Sequence, residues 1–226
     1  MDADYGRRDG DHEGSDDCMI DFTGVSAIRI PEGSVAKITN AQGVVLWEKP
    51  SAGDYTFPEY LMFNANMVFD TGVCCTQNTT IDVRFTNESS GARYLYGART
   101  TNNTASITAY LTSSGAWRFG NTYRNFTTKN STDIHNVVVS KDGIQYDGNS
   151  YKYGSTVKTF TCPWTLTIGS ARTTSGAKSA AQFIGKIYHF RMYDGDVLIL
   201  DWIPCVKSDG TRGFYDNVTG KFIDQM

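Results

Sequence analysis

From residue 55 onward the chain is written in short runs where apolar and polar residues alternate. Ile81, Val83 and Phe85 alternate with Asp82 and Arg84, which gives a strand one apolar and one charged face. Comparable runs occur at 94–98, 106–111, 116–119, 136–140, 144–146, 151–153, 165–169, 183–193 and 197–202. Turn residues punctuate them. Asp142-Gly143, between Val137-Val138-Val139 and Ile144-Gln145-Tyr146, is a hairpin signal, and Asp147-Gly148-Asn149 and Asp194-Gly195-Asp196 mark further turns. No stretch keeps a helical period. Many short strands with regular turns predict an all-β fold, a sandwich or a barrel.

Alternation also assigns faces. In 183–193 it places Tyr188, Phe190 and Met192 on one side and Ile187, His189 and Arg191 on the other, so the first set is expected in the core. Residues 197–200 are apolar on both faces, which predicts a strand covered on both sides.

The first part of the chain is built differently. Residues 1–17 are dominated by Asp, Gly, Arg and Glu and bury too little to offset their ordering entropy, so they read as an acidic flexible tail. Residues 18–49 read as a small β module with strands at Ile28-Arg29-Ile30, Val35–Ile38 and Val44–Trp47. Three strands barely hold a core alone, so the module is expected to act as an anchor. Residues 50–54 are a linker, and 55–226 form the main domain.

Composition supports strands, with 13% aromatic residues, 13 Tyr and 12 Phe among them. A net charge of −3 argues against a nucleic-acid partner. No apolar run is long enough to predict a membrane span. Met1–Asp4 lacks the charged start of a secretory signal, so the chain is expected to stay in the producing cell or leave by another route. The five cysteines (Cys18, Cys74, Cys75, Cys162 and Cys205) lack metal-site spacing, and adjacent Cys74 and Cys75 must point to opposite faces. They are expected as free thiols.

One internal echo suggests a binding site. Tyr94-Leu95-Tyr96-Gly97-Ala98-Arg99-Thr100-Thr101 is repeated in outline by 165–174, and both end on Ala-Arg-Thr-Thr. If the two strands run the same way, Arg99 and Arg172 meet at one rim, where their forked donors suit hydroxyls or an acidic sugar. Trp117 and Tyr123 are the candidate platform for a sugar ring.

The C-terminal block carries a family likeness. Its residues are Phe183-Ile184-Gly185-Lys186-Ile187-Tyr188-His189-Phe190-Arg191-Met192-Tyr193, Asp201-Trp202-Ile203-Pro204-Cys205 and Gly213-Phe214-Tyr215-Asp216-Asn217-Val218-Thr219-Gly220. With Phe69–Val73 and Leu95–Arg99, the block resembles the concanavalin A-like (laminin-G-like) jelly-roll domains of bacteriophage and gut-bacterial surface proteins. The likeness spans about 55–226, and 25–48 resembles the small β segment that precedes such domains in phage virion proteins. It implies a concanavalin A-like jelly-roll β-sandwich preceded by a small β module. The implied role is a lectin-like adhesin or capsid decoration protein on the virion, binding a host-surface glycan or receptor. It further implies contact with other virion proteins through residues 1–49, and a symmetric homo-oligomer. A bacterial cell-surface glycan-binding module is the alternative.

Glycoside hydrolases also use jelly rolls, which makes hydrolysis the reading to test. Glycosidic cleavage needs two suitably placed carboxyl groups. The five glutamates, Glu13, Glu32, Glu48, Glu59 and Glu88, never form the Glu-x-Asp-x-x-Glu pattern common in that fold. Nucleophilic catalysis needs an activating base, and His12, His135 and His189 stand in no nucleophile motif. The chain is therefore expected to be no enzyme, with no catalytic residues. Calcium is left open, because loop aspartates are plentiful and their convergence is invisible in a sequence.

Overall fold

The computed structural model describes residues 37–39, 45–48, 54–112, 116–125, 131–173 and 175–226. The chain divides into two units between Lys49 and Pro50. In the first, β1 (Lys37–Thr39) and β2 (Val45–Glu48) pair antiparallel, with Ile38 opposite Trp47. The expected tail 1–17, Cys18, the strand at 28–30 and positions 50–53 of the linker lie outside the described residues.

Among the described residues the second unit holds sixteen strands in two antiparallel sheets and no helix. One sheet has the order β10 (Thr122–Asn125), β9 (Ala116–Gly120), β8 (Ser106–Leu111), β7 (Arg93–Ala98), β14 (Thr161–Ile168), β5 (Phe69–Thr76). The other runs β13 (Asn149–Tyr151), β12 (Gly143–Tyr146), β11 (Ser131–Ser140), β6 (Thr79–Asn87), β15 (Gly185–Asp194), β16 (Val197–Lys207), β17 (Arg212–Asp216), β18 (Lys221–Ile223). Beside it, β3 (Tyr55–Thr56) pairs with β16 and β4 (Leu61–Phe63) with β15. Asp147 and Gly148 both take positive φ, 47° and 79°, which the two-residue turn between Tyr146 and Asn149 requires.

The sheets pack face to face through aromatic residues. Tyr96 on β7 meets Phe190 on β15 with ring centroids 6.1 Å apart, Phe69 meets Phe214 at 4.9 Å, and Trp117 meets Tyr146 at 6.2 Å. Each fully buried large side chain contributes roughly 1.5–3 kcal/mol, so this interface dominates stability. The protein is thus an all-β sandwich of two antiparallel sheets, as the alternation and the likeness predicted.

Three expectations are corrected. First, the register of β15 against β6 shifts between Ile187 and His189, a bulge that lets Tyr188 and His189 both stay partly exposed. Ile187 therefore turns inward beside Phe190 and Met192, all three fully buried, and Tyr188 leaves the core. Second, Val197 and Leu198 are exposed at 64% and 36%, because they sit at the tip of the β15–β16 hairpin, next to the turn at Asp194-Gly195-Asp196. Third, Trp117 is fully buried, because it alternates with outward Arg118 and points between the sheets. It cannot be a surface platform.

Candidate functional site

The condition under which the two loops were to share a rim, that their strands run the same way, is not met: β7 and β14 are antiparallel neighbours, with Thr167 opposite Gly97 and Ile168 opposite Tyr96. Arg99 and Arg172 come together nonetheless. Gly169, at φ 83°, reverses the chain after β14, and its N–H donates to the Leu95 carbonyl at 2.8 Å. The returning segment then runs parallel to the end of β7. The Arg172 N–H donates to the Gly97 carbonyl at 3.1 Å, and the Arg99 N–H donates to the Arg172 carbonyl at 3.0 Å.

Local polar residues hold both loops. The Thr100 N–H donates to Ser106 Oγ at 2.9 Å, which fastens the Arg99 loop to the start of β8. Ser170 Oγ donates to the Ser179 carbonyl at 3.0 Å, and the Ser179 N–H donates to the Ala171 carbonyl at 2.8 Å. Ala171 lies directly over Gly97, its Cβ 2.7 Å from where a Gly97 side chain would begin. The 169–183 segment thus covers the outer face of the six-stranded sheet at β7; further along that face Thr108 on β8 is buried, Arg118 on β9 half-buried and Tyr123 on β10 exposed.

The two guanidinium groups do different work. Arg172 Nη2 pairs with Asp70 Oδ2, and Nη1 donates to the Gly176 carbonyl at 3.2 Å. Burial pushes the Asp70 carboxyl up, but hydrogen bonds from Thr165, the Gly72 N–H and Arg172 outweigh it and hold the carboxyl below its usual range. Arg172 is an internal staple, since its fork is already engaged. Arg99 is half-buried on the outer face, with Nη1 donating to the Tyr94 hydroxyl at 2.8 Å and the guanidinium 6.0 Å from that ring's centroid. Tyr94 in turn packs on Tyr110, its cross-strand partner, with centroids 4.5 Å apart. Neither tyrosine was singled out from sequence as a site residue; their shared row on the sheet was the missing signal.

Tyr123 is where a platform would need it, 51% exposed on β10, with the Arg118 guanidinium 5.2 Å from its ring centroid. No carboxylate lies within salt-bridge distance of Arg99 or Arg118 among the described residues. On the other sheet, Lys186, His189 and Arg191 each meet a carboxylate, while Arg84 sits over Tyr188 at 5.3 Å.

Other polar clusters are closed. His135, buried at 6%, shares a 2.7 Å contact between Nδ1 and Asp147 Oδ2, and Asp147 Oδ1 accepts the Asn136 N–H at 2.8 Å. This pair ties the turn to β11. Among the described residues no three His, Cys, Asp or Glu side chains cluster as metal ligands, and no helix is long and apolar enough to cross a membrane. Cys74 is exposed while Cys75, Cys162 and Cys205 are buried, and none of the four is in a disulfide.

No family model matches the chain, and no curated protein does. Among solved structures, it is similar to a native heptameric SAP-like pentraxin from Limulus polyphemus, at 13% identity and a TM-score of 0.40. That match covers 63% of this chain and 76% of the pentraxin. It is also similar to domains LG4-5 of the mouse laminin alpha1 chain, at 12% identity and a TM-score of 0.41, covering 80% of this chain and 51% of that one.

Proposed function

We propose that the chain is a non-catalytic binding protein whose sandwich holds a surface glycan or glycan-bearing receptor on the outer face of the six-stranded sheet. The observation that carries this reading is Arg99. It lies without a carboxylate partner among the described residues, against the packed pair Tyr94 and Tyr110, on the face that carries the exposed Tyr123. Guanidinium donors suit sugar hydroxyls, and aromatic faces suit the apolar side of a sugar ring. Arg172 and Asp70 act here as positioning residues that set the loop over β7.

The setting on a virion, as adhesin or capsid decoration, rests on the sequence likeness of the C-terminal block. In that setting residues 1–49 dock to other virion proteins, and the head works as a homo-oligomer.

The test is a glycan array and host-cell retention assay on the full chain, with and without calcium, comparing wild type with Arg99→Ala. Retention that falls at least tenfold in the variant, with no release of cleaved sugar, supports the reading. Retention of nothing by the wild type sinks it.

A further inference from the structure

We infer that the face carries a second subsite, Arg118 with Tyr123, and that with Arg99 it takes an extended anionic oligosaccharide bearing carboxylate or sulfate groups. The inference rests on the glycan-binding reading above and names the ligand class of that face.

Register supplies the first argument. Gly97 pairs with Thr108, Thr108 with Arg118, and Arg118 with Tyr123, so one row crosses four strands. Residues in one row point to the same face. Thr108 and Arg118 alternate with Ile107, Ala109, Trp117 and Phe119, which fill the core, so this row lies on the sheet's outer side, with the small Thr108 buried, Arg118 half-buried and Tyr123 exposed. Arg99 follows Ala98 of the same sheet and reaches back to Tyr94 on that outer side. The two cation–aromatic pairs therefore share one face of the sheet with β8 between them, and Ala171 stands over the β7 end of the row.

Spacing gives the second. Strands lie about 4.8 Å apart, so the row places Tyr123 three strands from β7, about 14 Å away. That is longer than one sugar ring, so a single ligand reaching both pairs is an oligosaccharide, lying across the strands.

Charge gives the third. The chain carries a net −3, so a general attraction for anions is absent and any preference must be local. Arg99 and Arg118 have no carboxylate within salt-bridge distance among the described residues, and Asp70 on β5 pairs with Arg172. A neutral glycan would need hydrogen bonds alone. Two uncompensated guanidinium groups over aromatic rings favour a ligand that brings its own negative charge, and a bidentate contact to carboxylate or sulfate is the strongest they can make.

The test uses the full chain and calorimetric titration with three size series: oligogalacturonates, sulfated dextran oligomers and neutral dextran oligomers. The expected result is preference for one or both charged series, and affinity that rises at least tenfold with length before levelling off. Which charged series wins tells carboxylate from sulfate. Arg118→Gln and Tyr123→Ala should remove the gain with length. Arg118→Lys, which keeps the charge and loses the fork, should keep only part of that gain, and melting curves that coincide with wild type show the variants fold. Arg84→Gln, which alters the cation–aromatic pair on the opposite sheet, should change nothing.

Charged oligomers that bind no better than dextran overturn the inference. So does a length gain that survives Arg118→Gln and Tyr123→Ala, or one that Arg84→Gln abolishes. If the wild type still holds neutral glycans on the array, the binding reading stands while this inference falls. If it holds no glycan at all, both fall.

Discussion

The backbone N–H of Arg99 donates to the carbonyl of Arg172 at 3.0 Å, although the strands leading to these residues run in opposite directions. The contact depends on Gly169, whose positive φ turns the chain back on itself. A Cβ at Gly169 would run into the Met67 carbonyl oxygen and come within 2.8 Å of the Phe63 ring. Gly169→Ala should therefore destabilise the fold by about 2–3 kcal/mol, a sum of backbone strain and forced repacking. Urea unfolding measures it, and an unchanged midpoint would show that the reversal does not need glycine.

Asp70→Asn removes the carboxylate that holds Arg172. A carboxyl whose folded pKa is depressed adds stability above its unfolded value, near 4, and that contribution is lost as pH falls through the folded value. The pair is partly screened, so the variant should lose about 1 kcal/mol at neutral pH. The deficit should shrink as pH falls past the unfolded value and vanish once the wild-type carboxyl also takes a proton. Unfolding curves across pH give the answer; a constant deficit at every pH would point to a cause other than charge.

The two aromatic residues singled out for a platform should behave oppositely. Trp117 fills the core between the sheets against Tyr96 and Tyr146, so Trp117→Ala should cost about 3–5 kcal/mol. Tyr123 is half in solvent, and Tyr123→Ala should leave stability within about 0.5 kcal/mol while weakening ligand retention. Thermal melting and binding on the same preparations separate the two effects.

At the bulge of β15 the order of costs reverses what alternation implies. Ile187→Ala should cost about 2–4 kcal/mol, because it empties a fully buried position. Tyr188→Ala loses only partly exposed contacts with Tyr60 and Arg84, and should cost about 1 kcal/mol or less. Equal midpoints for the two variants would contradict the bulge.

Thiol labelling should single out Cys74 among the four described cysteines. Burial pushes Cys162 up to about 12 and Cys205 up to about 11, and raises Cys75 well above its ordinary value. Thiolate is the reacting form, so these three should stay unmodified by iodoacetamide in the native protein and react once it unfolds. Mass spectrometry of the digested protein reads the sites, and native labelling of Cys75 would indicate that the β5 edge opens.

Much of the architecture was legible in the chain. The run 81–85 and the run 106–111 alternate cleanly and lie in β6 and β8, because a side-chain period of two is a local property that burial only selects. Asp147-Gly148 marks a turn because few residues tolerate its dihedrals, and the Asp142-Gly143 signal falls one residue late, since the turn is Lys141-Asp142 and Gly143, at φ 140°, opens β12. Opposite exposure of Cys74 and Cys75 followed from the same period.

What only the tertiary structure decided were the places where one extra residue or one reversal changes every later orientation. The bulge at Ile187–His189 comes from pairing with β6 and β4, which no window of β15 contains, and it turned Tyr188 out and Ile187 in. Exposure of Val197 and Leu198 depended on where the neighbouring sheet stops. The echo of Ala-Arg-Thr-Thr named Arg99 and Arg172, but strand order set their roles: Asp70, about a hundred residues away in sequence, captures one guanidinium, while Tyr94 and Tyr110 frame the other. Local alternation determines which residues can be buried together, whereas partners distant in sequence determine which charges remain available to a ligand.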